Sequence, residues 1–165
     1  MKNKLVRIAK DTNLFLKRFI KGQKKTELVT AMKYGLFPGG KKIRSKILLD
    51  IGAIFKIEYK TLISIGAAVE CIHAYSLIHD DLPCMDNDTM RRDKISTFVK
   101  FGKHEAILMS LYMVSESVKL ITNALTGKTL ERSQLLINEW CELLGNNLVL
   151  GQLLDLKTES AAYFN

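Results

Sequence analysis

Proline is nearly absent from this chain: Pro38 and Pro83 are the only two in 165 residues. Glycine is also sparse, at ten. That shortage speaks against a turn-rich fold of many short strands and favours long helices. Cysteine is scarce too. Cys71, Cys84 and Cys141 are odd in number, and their spacing fits no zinc pattern. With no signal-peptide pattern, a reducing, cytoplasmic setting is expected. No apolar run reaches the roughly 18 residues that a membrane span needs. Residues 61–78 come nearest and are interrupted by Glu70 and His73, so no transmembrane span is expected. Acidic residues are outnumbered 17 to 25, giving a net charge of +8. The lysines are scattered, and no basic run interleaves with aromatics. No nucleic-acid partner is expected, and the excess charge suits polyanionic ligands such as diphosphates.

What is present is helical. Leu5, Ile8, Phe15, Phe19 and Ile20 recur at helical spacing over residues 4–21, with lysines between them. A basic amphipathic helix of this kind lies on a membrane or, more commonly, forms the first helix of a bundle. A second helix is expected over 27–34, broken by Gly35-Leu36-Phe37-Pro38-Gly39-Gly40. A third is expected from 41 or 42 to 55, and a long, mostly buried one over 59–81, ended by Pro83. Residues 87–101 are polar and show no period, so a loop is expected there. Helices follow over 103–124 and 129–156. No segment alternates as a strand does. The fold class is all-α.

Four aspartates, Asp80, Asp81, Asp86 and Asp88, stand within nine residues in the stretch HDDLPCMDNDTMRR. So many carboxylates repel unless a cation neutralises them. Mg²⁺ prefers oxygen ligands and shares them between one or two carboxylates and substrate phosphates. The cluster therefore reads as a magnesium-diphosphate site, the alternative being an acidic loop in solvent. On the helix that leads to it, His73 and Asp80 are seven apart and share a face. Upstream, Phe37-Pro38-Gly39-Gly40-Lys41-Lys42-Ile43-Arg44 offers backbone that can approach a ligand closely, then a helix N-terminus suited to an anion. Lys41 and Arg44, three apart, are expected on one helix face serving one phosphate. Further on, Gln152 and Asp155 share a face in GQLLDL.

Together these pieces resemble the trans-isoprenyl diphosphate synthases, most closely the bacterial farnesyl/geranyl type, over residues 31–156. GGKKIR is similar to that family's GGKRxRP box, and ECIHAYSLIHDDLPCMDND to its first aspartate-rich region. RRD…TFVKFG resembles the loop that follows, and GQLLDL the GQxxDL box. The resemblance implies the N-terminal half of an isoprenoid-synthase-type helical bundle. It also implies condensation of isopentenyl diphosphate with an allylic diphosphate, dimethylallyl or geranyl, with Mg²⁺ as cofactor. By resemblance, Asp80 and Asp86 hold the metal with Asp81 in support, and Arg91 binds the allylic diphosphate. Gly40, Lys41, Arg44, His73 and Arg92 hold isopentenyl diphosphate, and Gln152 and Asp155 lie near the allylic site. Tyr75 and Ser76, five and four residues before Asp80, line the floor that sets product length.

The resemblance is incomplete. The family's proteins are about twice as long, and their second aspartate-rich motif lies in the half not represented here. Residues 1–165 are thus expected to be a single truncated domain. Ser45 replaces the box's proline, Ser110-Leu111 replaces a Gly-Asp, and Gly151 stands alone where many members have two glycines. A half-bundle exposes apolar faces, so a homodimer or pairing with a separate C-terminal half is expected. Two further readings are a non-catalytic remnant and a diphosphate-binding and magnesium-binding partner subunit of a full-length synthase.

Overall fold

The fold, seen in a computed structural model, is described for residues 2–162. It forms two compact units, divided after Ala124.

The first unit begins with α1 (Lys2–Lys21), whose buried Ile8, Thr12, Leu16 and Ile20 recur every four residues and so form one stripe. Thr26 caps α2 (Glu27–Leu36) by accepting the Val29 N–H at 3.2 Å, a contribution of about 1 kcal/mol. α3 spans Ile43–Ile54 and α4 Tyr59–Asp80. α4 is buried almost all round because it carries small residues: Ser64, Gly66, Ala67, Ala68 and Ala74 let neighbouring helices approach its backbone. A Cβ on Gly66 would lie 3.3 Å from the Ser45 side chain, and one on Gly52 of α3 only 2.2 Å from Leu62. α6 (Lys103–Ala124) packs along the other side of α4. Met32, Leu36, Cys71, Ile78, Met109 and Met113 fill the main core. Burial there pushes the Cys71 thiol up to about 12. α4 is long and apolar enough to cross a membrane, but 61% of its most apolar window is buried inside the protein, as in the core helix of a globular domain.

Two segments depart from the sequence reading. Residues 87–101 are not a plain loop. They hold a hairpin, β1 (Met90–Arg91) against β2 (Lys94–Ile95), and one helical turn, α5 (Thr97–Phe101). Two-residue strands are too short to show alternation, which needs several residues. In the second unit, the helix expected over 129–156 is α7 (Leu130–Glu142), then a π-helical stretch (Leu143–Val149), then α8 (Leu150–Ala162). Gly145, Asn146 and Asn147 are weak helix formers and sit where the turn widens.

Ile43, Ile47, Ile51 and Ile54 make an outward ridge along α3, each more than half exposed. The expected bare apolar face is therefore present in the first unit.

Candidate functional site

The Gly-Gly loop leads into α3 through Lys42, which takes a left-handed conformation (φ 54°) as the helix N-cap. This overturns one geometric premise. Lys41 precedes the helix, so the i, i+3 rule that would pair it with Arg44 does not apply. Lys41 is exposed, whereas Lys42 turns inward and is 4% exposed. Its Nζ lies 3.3 Å from Glu70 Oε2 on α4. Burial pulls the Lys42 ammonium below its ordinary value, while Glu70 opposes that. The second Glu70 oxygen accepts the Ser45 N–H at 3.2 Å and lies 3.1 Å from the Ser45 hydroxyl. Sequence reasoning missed this buried network. A glutamate inside the most apolar helix was the available signal, because a buried carboxylate needs a partner.

Arg44 follows on α3, and its Nη1–H donates to His73 Nε2 at 3.2 Å. An imidazole nitrogen accepts only when unprotonated, and the surroundings keep it so. Burial, then the Arg44 charge, lower His73 to about 4, with Glu70 partly opposing and Arg92 and Lys42 adding to the fall. Arg92 (φ 53°) lies against the loop: a Cβ on Gly40 would meet its guanidinium nitrogen at 3.3 Å. Gly40, Arg44, His73 and Arg92 are thus gathered from three segments into one cationic cradle.

Two helical turns beyond His73, about 10 Å along α4, the helix ends in the acidic turn. Pro83 follows, and the chain doubles back so that the Asp86 N–H donates to the Asp80 carbonyl at 2.9 Å. Asp80 is half-buried and Asp86 exposed, while Asp81 is 2% exposed. Arg91, on the hairpin, donates Nε–H to Asp81 Oδ1 at 2.7 Å and Nη2–H to Asp88 Oδ2 at 3.1 Å. Burial raises Asp81 above the usual carboxylate range against the pull of Arg91, and the bond to Asp81 raises Arg91 in turn. Among the described residues, no three His, Cys, Asp or Glu side chains form a metal-holding group. Asp80 and Asp86, linked by that backbone hydrogen bond, carry the hard oxygen donors that suit an ion completing its shell with phosphate oxygens.

Lys94, not foreseen from sequence, fastens the hairpin to the loop. Its Nζ donates to the carbonyls of Phe37 at 2.7 Å and Tyr34 at 3.3 Å and sits 3.8 Å from the Tyr34 ring centre. A cavity of about 40 Å³ remains between them, lined in part by Phe37, Asp81, Arg91 and Lys94. Tyr75 is half-buried against the main core, its ring 4.6 Å from that of His79. The Ser76 hydroxyl donates to the His73 carbonyl at 3.1 Å. Ser110 is buried and hydrogen-bonded to His79 at 2.5 Å, while Leu111 is 56% exposed. Of the pair that replaces the family's Gly-Asp, Ser110 is therefore inside the first unit and Leu111 on its surface. In the second unit, Gln152 is half-buried and Asp155 exposed, three apart on α8.

Known proteins resemble this chain in sequence and in fold. Farnesyl diphosphate synthase of Buchnera aphidicola from Acyrthosiphon pisum is 40% identical over 82% of this chain and 49% of its own length. The Escherichia coli farnesyl diphosphate synthase is 38% identical over 91% of this chain and 52% of its own. The chain thus spans about half the length of the curated relatives it matches. The crystal structure of an FPP/GFPP synthase from Zymomonas mobilis superposes with a TM-score of 0.89 at 30% identity, covering 96% of this chain and 58% of that one. The Thermotoga maritima geranyltranstransferase gives 0.75 at 28% identity, covering 96% and 54%. The polyprenyl synthetase family model matches residues 25–165, across the loop, the cradle, the acidic turn and GQLLDL alike, and the chain belongs to that family.

Proposed function

We propose that this chain supplies the diphosphate-binding part of a prenyltransferase that joins isopentenyl diphosphate to an allylic diphosphate, giving geranyl or farnesyl diphosphate. One observation carries the reading: His73 of the cationic cradle and Asp80 of the acidic turn stand two helical turns apart on α4. Two anionic substrates need two such places. Arg44, Arg92, neutral His73 and the Gly40 backbone bind isopentenyl diphosphate, with Lys41 reaching in from the loop. Guanidinium forks match phosphate oxygens. Asp80 and Asp86 hold Mg²⁺, which when bound acts as a Lewis acid on the allylic diphosphate. Asp81 keeps Arg91 poised beside that group.

In the reaction, the allylic C–O bond breaks with its electron pair passing to diphosphate. The isopentenyl double bond attacks the allylic carbon, and loss of a proton restores a double bond. Tyr75 and Ser76 are assigned to the growing chain, and the family resemblance assigns Gln152 and Asp155 of the second unit a role with the allylic diphosphate. The exposed α3 ridge supports assembly with a second copy or with a separate C-terminal half.

The test is an assay of labelled isopentenyl diphosphate with geranyl diphosphate and Mg²⁺, on the chain alone and with a C-terminal half from a relative. Product in either arm supports the reading, and product only in the second shows that a partner completes the site. No product from folded protein in either arm, with magnesium-dependent diphosphate binding retained, favours a binding subunit. Unchanged diphosphate binding in both Asp80→Ala and Asp86→Ala sinks the metal assignment.

A further inference from the structure

Glu70 is a buried carboxylate that the proposed chemistry does not use. Its two oxygens serve different partners: Oε2 faces the Lys42 ammonium at 3.3 Å, and Oε1 accepts the Ser45 N–H at 3.2 Å. The Ser45 hydroxyl stands 3.1 Å from Oε1 and 3.0 Å from the Gly66 carbonyl, its single proton shared between them. Lys42 and Ser45 bracket Ile43 and Arg44 in the chain. Glu70 itself lies one turn before His73 on α4. One carboxylate therefore clamps both halves of the cradle: the start of α3, which aims Arg44, and the turn of α4, which carries His73.

A buried ion pair is a poor source of stability, because removing both charges from water costs about as much as their attraction returns. Its distinctive effect is directional. The pair ties Lys42, the left-handed N-cap residue at which α3 begins, to α4. Serine matters at position 45 because a proline has no N–H to give. With the proline of the GGKRxRP box in that place, Oε1 would lose both donors.

We propose that Glu70 is a positioning residue for the Arg44–His73 pair, held by Lys42 and by the two donors of Ser45. This rests on the diphosphate-site reading above. The informative variant is Lys42→Met/Glu70→Gln, which keeps side-chain volume and net charge, so any loss of anion affinity cannot come from a weaker field. Binding of inorganic diphosphate to the metal-free chain is followed by NMR, together with the His73 ring titration and the thermal melt. The groups acting on His73 are Arg44, Arg92, Lys42 and Glu70. The variant removes the last two, whose effects oppose. A rise of the His73 midpoint from about 4 thus reports the ring leaving its half-buried place beside Arg44.

The expected result is a loss of affinity of about tenfold or more and a raised midpoint, in protein that still melts cooperatively. Ser45→Ala, which keeps the N–H and loses the hydroxyl, gives a smaller loss of affinity and serves if the double variant does not fold. Ser45→Thr, which keeps both donors, restores binding. Unchanged affinity and midpoint in the folded double variant, or in Ser45→Ala if only that folds, overturn the proposal. A wild-type chain that binds no diphosphate, with the midpoint still rising in the variant, overturns the site reading and leaves the positioning role standing.

Discussion

Lowering the pH from 7.5 to 5 should destabilise this chain through His73. The ring is half-buried beside Arg44, and its value falls from the ordinary 6.5 to about 4. The unfolded chain therefore binds a proton that the folded chain refuses. Stability is complete above pH 6.5 and is lost as the pH falls from 6.5 toward 4. The full gap corresponds to roughly 3 kcal/mol, and solvent screening of a half-exposed ring brings it to about 1.5 kcal/mol. Most of that, about 1 kcal/mol, is already lost at pH 5. With a urea slope of roughly 1–2 kcal/mol per molar, the midpoint should move down by about 0.5–1 M between pH 7.5 and pH 5. His79, also lowered by burial, adds a shift of the same sign. The assay is urea denaturation at both pH values for the wild type and His73→Gln, and the quantity of interest is the difference between their shifts. Equal shifts in the two proteins, or an NMR titration placing His73 near 6.5, would refute the account of the cradle as a site that keeps its imidazole neutral.

Three other outcomes are expected. Gly52→Ala forces a methyl group to within 2.2 Å of Leu62 and should destabilise by about 1–3 kcal/mol, an effect that Leu62→Ala should largely relieve in a double-mutant cycle. Arg91→Ala leaves the Asp81 carboxylate, 2% exposed, without its cation. It should cost about 3 kcal/mol at pH 7 and less under acid conditions that protonate Asp81, as read from melting curves across pH. Ile47→Glu puts a charge on the α3 ridge and should shift the chain toward smaller species in sedimentation, with an unchanged distribution counting against the ridge as an association surface.

The helices were legible because their apolar residues recur with the right period, and Pro83 and the Gly-Gly loop mark real ends. The hairpin was not legible, since Met90–Arg91 and Lys94–Ile95 are too short to carry a pattern. The π-helical stretch was missed for another reason: it keeps the helical path and changes only its width. At the site, the spacing of His73 and Asp80 survived intact because both lie within a continuous helix or at its end. The spacing of Lys41 and Arg44 failed because the helix begins between them. A single left-handed residue, Lys42, moves one lysine outward and the other into the protein, and no periodicity rule contains that choice. Lys94 was invisible for a similar reason. Its value comes from two carbonyls about 60 positions earlier in the chain.

Arg91 gives the acidic turn a property of an ion-exchange resin. Its guanidinium occupies the oxygens of Asp81 and Asp88, so the carboxylates carry a covalently tethered counterion from the moment they fold. Any free dication that draws on Asp81 must compete with a cation whose local concentration never falls. Each Arg91 fork released in that exchange becomes available to phosphate. A cation and an anion that both bound at this turn would therefore be coupled, each raising the other's affinity by the same factor.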